Sequence, residues 1–234
     1  MSTARRACVL TLTLLLAALL PSAAASGDTP RRAALKATNP SMILCVVPLG
    51  RHDKQLLRAA ERGITYVYGF TVRRLPARKL PPAAYYKPRR RWRADRILDH
   101  LREDVLPGTG CGKIMGFTAE DISTTKPPHA DWGILGLAEL GGVAGVVSSH
   151  RTARALKPPH TRKRRVVKVV NHEIGHLLGL PHLQNTTCLM NDAEGSVLTT
   201  DRESGLLCPQ TVRWIEVNTP YKIPRHKRFE WELL

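Results

Sequence analysis

The chain has 234 residues, 43% of them hydrophobic, with 36 Lys and Arg against 19 Asp and Glu, a formal charge of +17. Ordinary apolar content excludes a disordered chain, and the lack of a second membrane-length apolar run excludes a multi-span membrane protein. The charge suits contact with an anionic partner such as acidic polysaccharide, phospholipid headgroups or nucleic acid; the alternative is a solvated basic surface.

Taken in chain order, Arg5 and Arg6 form a positive n-region, residues 7–20 an apolar h-region, and Ala23-Ala24-Ala25 the small residues of a cleavage site. Residues 1–25 therefore read as a signal peptide cleaved after Ala25, and the chain as exported, periplasmic or extracellular. A retained anchor is the alternative, but the apolar run is short for a span. Cleavage leaves 234 − 25 = 209 residues and lowers the charge to +15 with the loss of two arginines. That length suits one domain with a substantial core, expected as a monomer. Residues 26–40 are polar and read as a flexible leader, residues 41–218 as the domain, and residues 219–234 as a basic tail that either docks or frays.

Within the domain, residues 41–49 (SMILCVVPL) are a continuous apolar run of strand length, as a buried strand requires. Residues 53–62 carry Leu56, Leu57 and Ala60 at helical spacing, with Gly63 as the expected stop. Residues 65–72 (TYVYGFTV) are β-branched and aromatic and read as a second strand. Residues 76–88 contain four prolines and read as a surface loop. The basic run Lys87, Arg89, Arg90, Arg91 and Arg93 around Trp92 reads as a charged helix entrance or as a nucleic-acid contact. Ile97, Leu98, Leu101 and Leu106 make residues 94–106 an amphipathic helix. Residues 113–118 (KIMGFT) and 143–149 (VAGVVSS) are two further strands, the latter after a tight turn at Gly141-Gly142. Val166, Val170, Ile174 and Leu177 then form the core stripe of a helix.

That helix carries the string His172-Glu173-Ile174-Gly175-His176-Leu177-Leu178-Gly179-Leu180-Pro181-His182. His172 and His176 sit at i and i+4 and point to one side, where two neutral imidazoles can hold a zinc ion. Glu173 adjoins the first ligand without having to bind metal, which suits a general base acting on a zinc-activated water. Gly179 can take positive φ and end the helix, Pro181 keeps it from resuming, and His182 returns as a third ligand. Four cysteines remain after cleavage: Cys45, Cys111, Cys188 and Cys208. Three pairings are open to them, and no Cys-x-x-Cys argues for a redox or self-contained cysteine zinc site.

The extended zinc string resembles the metzincin signature, and its surroundings resemble the archaemetzincin branch. The similarity runs over residues 41–214 and includes Cys188-Leu189-Met190, Cys208-Pro209-Gln210-Thr211 and residues 136–142 followed by Val146-Val147-Ser148. It implies an α/β fold: a mixed twisted sheet with packed helices, an active-site helix, a Met-turn and a small C-terminal subdomain. It implies a zinc metallopeptidase acting on a peptide or protein substrate, with His172, His176 and His182 as metal ligands and Glu173 as base. Met190 would be the Met-turn residue supporting the histidines, and residues 133–140 would hold the edge strand that receives an extended peptide. Members of the family hold a second, structural zinc with four cysteines, but Leu183 and Thr211 occupy two of those positions here. The remaining pair, Cys188 and Cys208, would become a disulfide in an oxidising compartment, leaving one catalytic zinc. Cys45 and Cys111, on and beside two predicted strands, either pair or stay as buried thiols. The alternative function is a zinc-containing binding protein for anionic polymers with little proteolytic activity.

Overall fold

The computed structural model describes residues 38–192 and 196–234. The expected signal peptide and nearly all of the leader lie outside those residues. At the centre is a five-stranded sheet built from β1 (Asn39–Pro48), β2 (Phe70–Arg74), β5 (Lys113–Thr118), β8 (Gly136–Ala138) and β9 (Ala144–Ser148), in the order β2-β1-β5-β9-β8. The first four strands are parallel, and β8 joins β9 antiparallel at one edge. The sheet is mixed and the class is α/β, as expected.

Parallel strands covered on both faces read as unbroken apolar runs, which is why β1, β5 and β9 are legible in the sequence. Their side chains alternate between two cores. Leu44 and Val46 of β1, with Met115 and Phe117 of β5, face the larger core under the helices α1 (Lys54–Tyr68) and α3 (Arg162–Leu177). Cys45, Val47 and Ile114 face the smaller core under α2 (Ala94–His100) and the π-helical turn Leu101–Val105 that continues it. Cys45 bonds to Cys111 on that side, resolving the open alternative in favour of pairing. A second sheet, ordered β3 (Tyr85–Tyr86), β4 (Arg91–Arg93), β6 (Ile122–Lys126) and β7 (His129–Ile134), adds strands inside or beside stretches that read as loop and basic run.

Two local expectations are corrected. Helix α1 does not stop at Gly63; Asp53 caps its start by accepting from the Gln55 and Leu56 amides, and it runs to Tyr68 before Gly69 closes it at φ 68°. The strand expected over residues 65–72 begins only at Phe70, because Ile64 and Val67 continue the buried helical stripe. Gly63 is there for packing: a Cβ on it would lie 2.6 Å from Val167 Cγ1 of α3. Residues 219–234 dock. Ile223, Phe229 and Leu234 are buried, and the His226 ring stacks on Tyr66 at 3.9 Å. Among the described residues no helix is long and apolar enough to cross a membrane.

The α1–α3 contact yields a test. Val167 is β-branched and cannot swing clear within a helix. Gly63→Leu is expected to lower unfolding free energy by about 2 kcal/mol in urea, despite the better helix propensity of Leu. A variant as stable as the parent would show that the helices have room and that the close approach does not matter.

Candidate active site

Helix α3 is built mainly by burial. Val166, Val167, Val169, Val170, Ile174 and Leu177 are buried, which outweighs the modest helix propensity of the valines. Thr161 caps its start by accepting from the Arg164 amide. Near that end the Arg165 guanidinium, fully buried, forks onto Asp201 of α4 (Val197–Arg202) at 2.8 and 2.6 Å and also donates to the Thr152 and Arg154 carbonyls. Burial alone would push the Asp201 carboxyl up, and the Arg165 fork overrides it, leaving it below its ordinary value. Lys168 Nζ donates to the Thr200 carbonyl at 2.8 Å. These contacts pin α4 over the first half of α3.

The second half carries His172 and His176, and His182 follows just beyond the helix end. His182 Nε2 lies 3.1 Å from His176 Nε2 and 3.1 Å from His172 Nε2. Together they are the one group of metal-ligating side chains found among the described residues. Nitrogens at ~2.0–2.1 Å around a tetrahedral zinc ion stand about 3.3–3.4 Å apart, close to what is seen. No arrangement of ring protons satisfies three converging Nε2 atoms, whereas one cation does. The opposite ring atoms are already committed. His172 Nδ1 is 2.7 Å from the Leu189 carbonyl and His176 Nδ1 is 2.8 Å from the Leu180 carbonyl. Each contact places the ring proton on Nδ1 and leaves Nε2 as a lone pair, the form a metal needs. Burial drives His172 down to about 3 and lowers His176 as well, so both are neutral. His182 is more exposed, with Asp192 Oδ2 at 3.7 Å from its Nδ1. The residues therefore fit a zinc ion.

Helix termination and ligand placement are one event. Gly179 takes φ +91°, its amide bonds to the His176 carbonyl, and the Leu180 amide bonds to the Gly175 carbonyl. The turn so made sets the carbonyl that holds His176 and sends the chain to His182. Met190 is fully buried under α3, and its sulfur occupies the space a side chain on Gly175 would need. Leu183 and Met190 are joined by a backbone bond of 2.8 Å, which ties the third histidine's segment to the turn beneath it. Cys188 and Cys208 form a disulfide just before that turn, with Cα atoms 5.2 Å apart.

Glu173 is 7% exposed, and burial pushes its carboxyl up to about 8. It points toward the edge strand. A Cβ on Gly136 of β8 would lie 2.5 Å from Glu173 Oε1 and 2.7 Å from its Cγ. The turn after β8 is fixed to α3, because the Gly141 amide donates to the His176 carbonyl at 2.8 Å. Within that turn the Glu139 carboxylate accepts from the Val143 and Ala144 amides. A cleft of about 970 Å³ runs between β8 and α3, lined by Trp132, Gly136, His172, Glu173 and His176 and continuing to Glu203.

Sequence reasoning singled out His172, Glu173, His176, Gly179, His182, Met190, Cys188 and Cys208, and the structure gathers all eight around the end of α3. It placed Gly136 only within the edge-strand stretch 133–140, with no role of its own, and missed Gly175, Asp192 and the two orienting carbonyls. Gly175 lies inside the string and could have been flagged as a small residue on a packed helix; the others carry no local signal.

Comparison with known proteins agrees with the geometry. Residues 84–217 match peptidase family M54. An archaemetzincin of Haloarcula marismortui is 32% identical over 153 residues, covering 62% of this chain and 84% of the relative. One from Methanopyrus kandleri is 35% identical over 141 residues, covering 60% and 74%. The crystal structure of the Methanopyrus kandleri protein superposes with a TM-score of 0.64 at 30% identity, covering 76% of this chain and 94% of that one. The Archaeoglobus fulgidus archaemetzincin superposes at 0.62 and 29% identity, covering 74% and 99%. With the match spanning more than half of its length, the chain belongs to peptidase family M54, the archaemetzincins, and is a zinc metallopeptidase.

Proposed function

We propose that His172, His176 and His182 hold one catalytic zinc ion and that Glu173 is the general base for hydrolysis of a peptide bond. The observation that carries this reading is the convergence of three Nε2 atoms beside a buried carboxylate at the wall of a cleft. When bound, zinc supplies an electrophile that polarises the scissile carbonyl and acidifies water to a pKa near 7.

The chain's own residues do the rest. Strand β8 pairs with β9 on one side and borders the cleft on the other, so an extended peptide can add to the sheet edge by main-chain hydrogen bonds. Glu173 would be ionised by the field of the cation held beside it, accept a proton as water attacks and return it to the leaving amine. The Leu180 and Leu189 carbonyls keep His176 and His172 aimed, and Met190 gives them an apolar floor as the Met-turn residue. Gly179 ends the helix where His182 must turn back.

The finer assignments belong to the same reading. Residues 1–25 direct export, and the two disulfides support it, since such bonds persist in oxidising compartments. The Cys188–Cys208 bond stands in for the structural zinc of relatives, which leaves one ion per chain. It closes a loop of 20 residues and contributes on the order of 3 kcal/mol by loop entropy. The +15 charge left after loss of residues 1–25 supports contact with an anionic polymer or surface as a property alongside peptidase activity, not instead of it.

Glu173→Gln is expected to retain zinc while kcat/KM on peptide substrates falls by about 10²–10⁴; wild-type turnover in that variant would remove Glu173 as the base. Gly136→Ala tests the base's seat. The new methyl group would have to displace the Glu173 carboxylate, so activity is expected to drop by about tenfold or more with zinc content unchanged. An unaltered rate would mean that Glu173 works from another position.

A further inference from the structure

The proposed chemistry leaves one buried acid in the cleft unused. Glu203 follows α4, is 5% exposed, and lines the same cleft as His172 and Glu173. Among the described residues no group donates a hydrogen bond to its carboxylate. The neighbouring charges are engaged elsewhere. Asp201 is held by the Arg165 fork, and the Lys168 ammonium donates to the Thr200 carbonyl at 2.8 Å and the Asp201 carbonyl at 3.4 Å. Lys168 reaches Glu203 only through space, and burial still pushes the Glu203 carboxyl up to about 8. A carboxylate that lines the cleft with no protein donor is left to whatever enters the cleft, and a cationic group of a ligand would pair with it.

Its position along α3 sets the length of what could reach it. Val169, His172, Glu173 and His176 share one helix face at i, i+3, i+4 and i+7, and all four line the cleft. Thr200, also in the lining, is fixed over Lys168, the neighbour of Val169. The lobe therefore descends from the histidines toward the N-terminal half of α3, by about one to two helical turns, on the order of 5–10 Å. In that part of the lining Val169 and Leu198 are apolar and Glu203 is acidic. A long aliphatic stem with a cationic tip matches that profile. Two arginines also line the cleft. Arg151 is paired with Asp121, at 2.7 and 2.9 Å, a carboxylate it shares with Arg91, and Arg154, like Lys126 of the same lining, is exposed to solvent, where its field is screened.

We infer that Glu203 is a specificity-determining residue, ending a pocket that takes a lysine or arginine side chain of the substrate at a position flanking the scissile bond. The inference rests on the peptidase reading of the same site. It is tested with zinc-loaded protein and a quenched-fluorescent peptide series. The two residues flanking the cleaved bond are varied in turn as Lys, Arg, norleucine and Glu. For the wild type, kcat/KM for Lys or Arg at one flank is expected to exceed that for norleucine by about 10- to 100-fold. Glu203→Gln should bring the Lys-to-norleucine ratio close to one, and Glu203→Lys should shift the preference to Glu. A wild type that favours norleucine or Glu, or a Lys preference that survives in folded Glu203→Gln, overturns the proposal. Binding of the same peptides to Glu173→Gln, read by fluorescence anisotropy, separates the two readings. Preferential Lys binding without turnover in the wild type would keep the pocket and reject the peptidase mechanism. Turnover without Lys preference would do the reverse.

Discussion

Two peptide carbonyls hold the centre of this molecule in place. The Leu180 carbonyl takes the ring proton of His176, and the Leu189 carbonyl takes that of His172. Each fixes a tautomer and a ring angle, and without them the Nε2 lone pairs would not converge. Both carbonyls come from backbone that must leave the helix and return beneath it. Gly179 at positive φ makes the first departure, and the turn at Met190 makes the return. Gly175 has no side chain, which lets Met190 press against the helix from below. The disulfide at Cys188 then anchors that turn to the segment starting α5 (Pro209–Asn218).

The other half of α3 is governed by charge rather than by metal ligands. Arg165 is fully buried, and its fork on Asp201 together with the Lys168–Thr200 bond holds α4 across the helix. Such arrangements rarely raise stability much over an apolar equivalent, but they fix geometry because an unpaired member is costly. Here they hold α4, whose Val197, Leu198 and Thr200 line the cleft. The edge strand β8 sets the facing wall, and its turn is bonded to the His176 carbonyl. One helix thus carries His172, His176 and Glu173 and abuts Met190 and both walls of the cleft.

Legibility in the sequence followed how local each cause is. The string from His172 to His182 is confined to one helix and the turn that ends it, so spacing alone was enough to single it out. Strands β1, β5 and β9 were legible because both faces are buried and the apolar run is unbroken. Gly63 was misread as a helix stop because its reason is a side chain on another helix, Val167, far along the chain. Gly136 and Glu203 share that property. Gly136 matters because the Glu173 carboxylate abuts it, and Glu203 because α4 folds over α3. The short strands of the second sheet were missed among prolines and arginines, where composition speaks for loop. The fate of the four cysteines lay between these cases, since resemblance pointed to the Cys188–Cys208 pair while Cys45–Cys111 had rested only on neighbouring strands.

The central claim is a single metal centre held by three imidazoles, with the neighbouring cysteine site closed covalently. Zinc K-edge absorption spectroscopy on the purified protein addresses both parts at once. The account predicts nitrogen and oxygen scatterers at about 2.0–2.1 Å, with imidazole multiple scattering and no sulfur shell. A sulfur shell at about 2.3 Å would contradict it, because it would place zinc on Cys188 and Cys208 and leave those thiolates unpaired with each other.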